Sequence, residues 1–131
     1  MASEGLHEAQ DLLDGATVDH HRAVVSLTEE LEAVDWYDQR VKATTDSSLA
    51  AVLAHNRDEE KEHAAMTLEW LRRRDPALDR CLRQYLFTSD PITEIERAAE
   101  SESTATGGGQ RGSVGSGQEA SLGIGSLKGR E

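Results

Sequence analysis

The chain contains very little cysteine, since Cys81 is the single one among 131 residues. A lone cysteine cannot form an internal disulfide, which favours a reducing compartment such as the cytoplasm. No apolar run approaches the roughly 20 residues that a membrane-spanning helix needs, and the N-terminus lacks the apolar core of a signal peptide. We therefore predict a cytoplasmic protein that does not enter a membrane.

Positive charge is scarce as well. The chain carries 14 Lys and Arg against 25 Asp and Glu, and its formal net charge is −11. Nucleic acids and anionic membrane surfaces carry charge of the same sign, so both are disfavoured as partners. The same excess of carboxylates attracts cations.

No segment shows the strict alternation of apolar and polar residues that is typical of a strand, so the predicted class is all-α. A first helix is predicted from a cap at Thr17 to about Ala43. A second helix, capped by Asp46 or Ser47, is predicted to end near Arg74. The short polar break between them forces an antiparallel helical hairpin.

Two Asp-Pro pairs, at residues 75–76 and 90–91, predict further helix starts, because proline is well tolerated at the first helical position. The first pair opens a short amphipathic helix that runs through about Phe87. The second opens a last short helix that carries Ile92 and Ile95. The hairpin domain is thus predicted over residues 17–99.

The ends of the chain differ from this domain. Residues 1–16 are weakly patterned and predict a flexible lead-in. Nine of the 11 glycines lie between Gly107 and Gly129, which predicts a flexible linker over residues 100–118. Aliphatic residues return in the final segment, 119–131, and predict a peptide that docks into pockets of a partner; they are Leu122, Ile124 and Leu127.

The second helix carries a Glu-x-x-His pair, Glu60 and His63, inside its apolar stripe. At 100° per residue this stripe also holds Leu49, Val52, Leu53, Asn56, Ala64, Thr67, Trp70 and Leu71. A buried carboxylate without a partner costs several kcal/mol, so something must compensate Glu60. A bound metal ion is the obvious candidate, whereas a solvated pair on an exposed face is the alternative.

Helical bundles build two-metal centres from two lone glutamates and two Glu-x-x-His pairs that point inward. Glu30, at the flank of the first helix's apolar stripe, is the best lone glutamate in this chain. One hairpin would then supply half of the ligands, and a second copy related by a twofold axis would supply the rest. Carboxylate and imidazole ligands suit iron or manganese, and also zinc. Tyr37 lies two turns from Glu30, where its phenol either approaches the metal or only covers the site.

Two further clusters have two interpretations each. Glu29, Glu32 and Trp36 group on the opposite side of the first helix, as a second protein contact that could hold cations or as a wet acidic face. His55, Glu59 and Glu62 share an outer face of the second helix. A solvated face is the favoured interpretation for that group, with a peripheral cation site as the alternative.

These motifs resemble those of the encapsulated ferritins, ferritin-like ferroxidases packaged inside encapsulin nanocompartments. The resemblance covers residues about 18–97 and is densest in EELEAVDWYDQR (29–40) and AHNRDEEKEHAAMTLEWL (54–71). The terminal LGIGSLKG (122–129) is similar to an encapsulin-targeting peptide. Long matching strings of this kind are far more specific than Glu-x-x-His alone.

The resemblance implies a ferroxidase that oxidises Fe²⁺ to Fe³⁺ with O₂ at a di-iron centre between two subunits. It implies that the iron ligands are Glu30, Glu60 and His63, with Tyr37 beside them. It further implies a secondary site through which ions enter, at Glu29, Glu32 and Trp36, and an outer cation site at His55, Glu59 and Glu62. Calcium is a candidate cation for these secondary sites.

The implied assembly is a homodimer that completes a four-helix bundle and builds an annular decamer. The implied partner is the encapsulin shell protein, bound through the C-terminal peptide, and the released iron would be stored as mineral inside the shell. Two other functions stay open: a non-enzymatic helical adaptor that binds metal, and a manganese-dependent peroxide scavenger.

Overall fold

A computed structural model of the protein describes residues 5–106. A short 3-10 helix, Gln10–Leu12, precedes four α-helices, and this described part contains no strand. The helices are α1 (Gly15–Ala43), α2 (Ser47–Arg74), α3 (Pro76–Tyr85) and α4 (Ile92–Thr106). The predicted all-α class is confirmed. The predicted docking peptide at 119–131 lies outside the described residues.

Helix α1 begins earlier than predicted. The carboxylate of Asp14 accepts a hydrogen bond from the backbone N–H of Thr17 at 2.7 Å. Asp14 is therefore the cap, and the predicted cap at Thr17 is wrong because Thr17 lies within the first turn. An aspartate satisfies the free amides of a first turn well, and a glycine at the first helical position does not prevent the helix from starting.

The connection between α1 and α2 follows the prediction. The Asp46 carboxylate caps α2 by accepting from the backbone N–H of Leu49 at 2.9 Å. Two side-chain contacts then join the helices: Arg57 reaches Asp38 at 2.9 Å, and Thr67 reaches Glu30. Partners later in α2 lie earlier in α1, so the hairpin is antiparallel as expected.

Helix α3 is also capped as predicted, since the Asp75 carboxylate accepts from the N–H of Leu78 at 3.0 Å and Pro76 occupies the first helical position. The helix ends at Tyr85, slightly before the predicted end near Phe87. The chain leaves the helical path at Leu86, which is extended, and Phe87 after it has a φ of 60°, in the left-handed region. Such a conformation costs a residue with a side chain about 1 kcal/mol or more.

Helix α4 belongs to a separate unit that begins at Pro91. It carries Ile92 and Ile95 as predicted, but it continues to Thr106. The flexible linker was predicted to begin at residue 100, and its first residues are helical instead. Residues 100–106 contain neither glycine nor proline, so nothing in them stops a helix before Gly107.

The interior of the hairpin is sparsely filled. Among the described residues, the apolar side chains that are buried are Ala64 and Leu71. Leu49 and Val52, two members of the predicted apolar stripe of α2, are exposed in the single chain. Other large apolar side chains of α1 and α2 are exposed as well, namely Val24, Leu31, Trp36 and Met66. None of the described helices is long and apolar enough to cross a membrane.

Candidate metal centre

Glu30 lies on α1, half-buried, and faces α2. The hydroxyl of Thr67 donates a hydrogen bond to its Oε1 across the hairpin, at 3.2 Å. Its other oxygen, Oε2, is buried and has no hydrogen-bond partner among the described residues. One half of this carboxylate is thus satisfied by the protein, and the other half is left without a donor.

A buried carboxylate oxygen without a donor is costly, because water no longer solvates it and no protein group replaces the water. A divalent cation would satisfy such an oxygen by direct coordination. Carboxylate oxygens and imidazole nitrogens are suitable ligands for iron, manganese or zinc. The residues at this position therefore fit a metal ion.

Glu60 and His63 lie one turn apart on α2, directly before the buried Ala64. His63 Nδ1 is 3.5 Å from Glu60 Oε2, so the two side chains turn toward each other. The side chain of Glu60 is 27% exposed and that of His63 is 51% exposed. The predicted burial of this pair in the hairpin core is therefore partial for Glu60 and absent for His63 in the single chain.

One chain does not gather a complete ligand set. Within residues 5–106, no three His, Cys, Asp or Glu side chains are placed so that they could share a metal ion. Glu30 is held against Thr67, while Glu60 and His63 form their own pair. The hairpin thus presents a lone carboxylate and a Glu-x-x-His pair as two separate groups.

A groove of about 540 Å³ lies between α1 and α2 beside Glu30. It is lined by Asp19, Arg22, Ala23, Ser26, Glu30, Met66, Thr67 and Trp70. Because both Glu30 and Thr67 line it, the groove connects the half-satisfied carboxylate with the surface of the hairpin.

Tyr37 is half-buried on α1, and the Arg40 guanidinium lies 5.6 Å from the centre of its ring. A cation over a phenol ring is a weakly stabilising contact. The described contacts do not join Tyr37 to Glu30, Glu60 or His63. Its role beside a metal stays a prediction.

The two peripheral clusters are open to solvent. Trp36 is 51% exposed and lines a groove of about 350 Å³ with Gln39 and Arg40. Glu29 is exposed and Glu32 half-buried on the same helix. These residues are accessible to ions or to another protein, and their role as a secondary metal site stays a prediction.

The outer group on α2 includes one internal contact, in which His55 Nε2 lies 3.0 Å from Glu59 Oε1. Both side chains are more than half exposed, and Glu62 is exposed too. Exposed pairs of this kind contribute little to stability. A cation site here stays a prediction, as does docking by Leu122, Ile124 and Leu127, which lie outside the described residues.

A family model described as EncFtn-like matches residues 5–89, which include the whole hairpin and α3. The chain belongs to the EncFtn-like family. The predicted relation to the encapsulated ferritins is thereby confirmed, and the motifs around Glu30 and Glu60 lie within the matched part.

Curated relatives support the assignment to this family. The chain is 59% identical over 129 residues to the encapsulated ferritin-like protein of Rhodospirillum rubrum, covering 98% of this chain and 91% of the relative. It is 56% identical over 102 residues to a ferritin-like protein of Thermotoga maritima, covering 78% and 90%. It is 33% identical over 86 residues to the encapsulin nanocompartment cargo protein EncC of Myxococcus xanthus, covering 62% and 66%.

A solved structure shares the fold. The crystal structure of protein ne0167 from Nitrosomonas europaea matches with a TM-score of 0.66 and 62% sequence identity. The match covers 67% of this chain and 97% of that one. The helical hairpin of this EncFtn-like chain is therefore an architecture already observed in a similar protein.

Sequence analysis placed Thr67 on the apolar stripe of α2 but gave it no role. The structure shows that its hydroxyl bonds Glu30. A hydroxyl one turn beyond His63, on a stripe that is otherwise mainly apolar, was the available signal. It could not be interpreted without knowing which residue of α1 lies opposite.

Proposed function

We propose that this protein is a ferroxidase that oxidises Fe²⁺ to Fe³⁺ with O₂ at a di-iron centre formed between two subunits. The observation that carries the proposal is the buried Glu30 Oε2, which has no donor among the described residues although it lies beside a groove. Membership of the EncFtn-like family supports iron as the substrate, because the similar proteins are described as ferritin-like.

Two hairpins would complete what one hairpin begins. Each chain contributes Glu30, Glu60 and His63, so a twofold pair supplies four carboxylates and two imidazoles. Four carboxylates balance the charge of two divalent ions, which limits the cost of burying them. The exposed His63 and the exposed apolar side chains of the hairpin would be covered in this pair.

The chain's own residues perform simple tasks in this scheme. Glu30 and Glu60 bind Fe²⁺ through their carboxylate oxygens, and His63 completes the ligand set with a ring nitrogen. The two Fe²⁺ substrate ions together give up two electrons, which with two protons from solvent reduce O₂ to hydrogen peroxide, while the carboxylates stabilise the more highly charged Fe³⁺ product. Tyr37 is proposed to lie beside the ions and to cover the site.

The proposed setting is the inside of an encapsulin nanocompartment in the cytoplasm. One relative is described as encapsulated and another as an encapsulin cargo protein. We propose that dimers assemble into an annular decamer, that the C-terminal peptide binds the shell protein, and that the released Fe³⁺ is stored as mineral in the shell. Several tails on one ring would add avidity to weak individual docking.

The decisive experiment compares assembled and monomeric protein. Gel filtration separates the species, and stopped-flow absorbance with O₂ consumption then measures Fe²⁺ oxidation at equal chain concentration. We expect rapid oxidation from the multimer and only the background rate from the monomer, because one chain holds half of the ligands. A monomer that oxidises Fe²⁺ as fast as the multimer would refute a centre shared between subunits.

Metal analysis separates this proposal from its alternatives. We expect two iron ions per dimer after anaerobic loading with Fe²⁺, and fast O₂ consumption on exposure to air. A metal-binding adaptor would show metal without oxidation above background. A manganese-dependent peroxide scavenger would instead consume peroxide with Mn²⁺ bound.

Removing residues 119–131 tests the proposed shell-targeting peptide. The truncated protein should oxidise Fe²⁺ as the full chain does, since the hairpin is unchanged. On co-expression with the shell protein, it should remain outside the purified shells, as measured by gel electrophoresis of the shell fraction. Unchanged packaging would refute the proposed docking role of Leu122, Ile124 and Leu127.

A further inference from the structure

We propose that Thr67 is a positioning residue for the metal centre, which aims the free oxygen of Glu30 at the ion. This inference rests on the proposed function, because it assigns Glu30 a metal to bind. Thr67 itself would not touch the metal. It would act only through the carboxylate that it holds.

The contact is well suited to this task. Thr67 lies on α2 and Glu30 on α1, 37 positions apart, so the hydrogen bond fixes the carboxylate relative to the opposite helix. The bond is part-buried, where water competes less for both partners. Since Oε1 accepts the hydrogen bond from the Thr67 hydroxyl, Oε2 is the oxygen that remains for a cation.

The need for such a bond follows from the flexibility of glutamate. Its terminal torsion joins an sp³ carbon to the carboxylate, and the preferred angles there are broad and roughly two-fold. A carboxylate without a partner would therefore sample many orientations. Groups that hydrogen-bond a ligand reduce this freedom, and their loss typically weakens metal affinity by about 10–100-fold.

Two other hydroxyls of the hairpin, both on α1, bond within their own helix. Ser26 donates to the backbone carbonyl of Arg22 at 2.8 Å, and Thr28 donates to that of Val24 at 2.9 Å. This local bond to the preceding turn is a common use of serine or threonine inside a helix. Thr67 instead directs its hydroxyl across the hairpin, and the oxygen that it meets there belongs to a candidate metal ligand.

The test compares Thr67→Val with Thr67→Ser, using Thr28→Val as the matched control. Valine keeps the shape of threonine but cannot donate, serine keeps the hydroxyl, and Thr28 lies on α1 without bonding Glu30. Anaerobic titration of the assembled full-length protein with Co²⁺, followed by the visible absorption of bound cobalt, reports affinity without requiring any reaction. The Fe²⁺ concentration for half-maximal oxidation is measured in parallel.

We expect Thr67→Val to bind Co²⁺ about 10-fold more weakly and to need correspondingly more Fe²⁺ for half-maximal oxidation. Thr67→Ser and Thr28→Val should both stay close to the wild type. Circular dichroism and gel filtration of each variant show whether the helices and the assembly are retained. If the Thr67→Val protein keeps its helices and assembly but binds Co²⁺ more weakly, the loss of affinity comes from the orientation of Glu30 and not from unfolding.

Two results would overturn the positioning role. Wild-type affinity in Thr67→Val would show that Glu30 needs no orientation, and equal weakening in Thr67→Ser would show that the hydroxyl is not the cause. Glu30→Ala is included to separate this failure from that of the proposed function. If Glu30→Ala loses Co²⁺ while Thr67→Val does not, the metal centre stands without Thr67; if Glu30→Ala binds and oxidises normally, the centre itself is wrong.

Discussion

Two acidic regions of the hairpin are built in opposite ways. At the junction of α2 and α3, Arg72 donates to Glu69 at 2.6 Å and also pairs with Asp79, which Arg83 contacts at 2.9 Å. We call these four residues the junction cluster. Glu30, in contrast, meets only the hydroxyl of Thr67 on one oxygen, and its other oxygen has no partner among the described residues.

The contrast shows which carboxylates the chain neutralises by itself. In the junction cluster, the hydrogen bonds from Arg72 hold the pKa of Glu69 and that of Asp79 below their ordinary values. Positive side chains are few in this protein, yet two arginines contact Asp79. Glu30 and Glu60 lack such an arginine in the described contacts, and they are the residues proposed to bind metal.

The largest expected effect is on Fe²⁺ oxidation, which should depend on the proposed metal ligands and not on the junction cluster. Glu30→Ala, Glu60→Ala and His63→Ala should each reduce Fe²⁺ oxidation to the background rate, since each removes a proposed ligand. Glu69→Ala is the matched control, because it removes a carboxylate from α2 that an arginine already neutralises. The rate of Fe²⁺ oxidation is measured by stopped flow for all four variants. Full activity in the first three would show that the proposed metal centre does not exist.

Arg72→Met tests the other side of the comparison. The substitution keeps much of the apolar stem of arginine but leaves Glu69 with Arg73 alone, at 3.6 Å, and Asp79 with Arg83 alone. We expect the Tm to fall by a few degrees, because α3 is then held less firmly on α2. Differential scanning calorimetry measures this, and the rate of Fe²⁺ oxidation should not change.

Metal-dependent stabilisation sharpens the contrast further. A ligand that binds only the folded protein, at 100 times its Kd, stabilises the folded state against unfolding by about 2.7 kcal/mol. Co²⁺ should therefore raise the Tm of the wild type and of Arg72→Met by similar amounts, and should fail to raise that of Glu30→Ala. An equal rise in Glu30→Ala would show that the metal stabilises the protein elsewhere.

The pH dependence of stability gives a smaller effect. Folding lowers the pKa of Asp79 from 3.8 and that of Glu69 from 4.5, so both carboxylates bind protons less readily in the folded state. Their contribution is complete above these ordinary values and is lost as the pH falls through the lowered ones. The Tm of Arg72→Met should therefore fall less steeply with acidification below about pH 5 than that of the wild type. Parallel curves for the two proteins would contradict this role of Arg72.

The smallest effect is expected on the outer face of α2. His55 pairs with Glu59, and both side chains are largely exposed. Replacing His55 with alanine should leave the initial rate of Fe²⁺ oxidation close to that of the wild type, since the described contacts do not join His55 to Glu30, Glu60 or His63. A loss as large as that of Glu30→Ala would place the outer group in the centre itself.

Local chemistry decided which parts of the fold were predictable. Asp46 and the Asp75-Pro76 pair mark helix starts through contacts within one turn, so the sequence alone indicated them. The start of α1 was missed because Gly15 is typical of a break, although Asp14 caps the helix from the residue before it. The extension of α4 to Thr106 was missed because composition changes gradually before Gly107.

The candidate site was likewise predictable only where the residues lie on one helix. Glu60 and His63 were found from their spacing on one helix, and the structure places them 3.5 Å apart. Glu30 was found from its position beside the apolar stripe of α1. The bond from Thr67 to Glu30 was not predictable, because it depends on the register and rotation of two helices relative to each other.

The sparse interior has a consequence for handling the protein. Ala64 and Leu71, the apolar side chains buried among the described residues, are too few to hold two long helices together by themselves. Under the proposed pairing of hairpins, apolar side chains that are exposed in one chain would be covered by another, so part of the folding free energy would arise between chains and would depend on chain concentration. If the hairpins pair as proposed, melting temperatures are comparable only at matched chain concentration, and a newly synthesised chain would reach its full stability only after it binds a second copy.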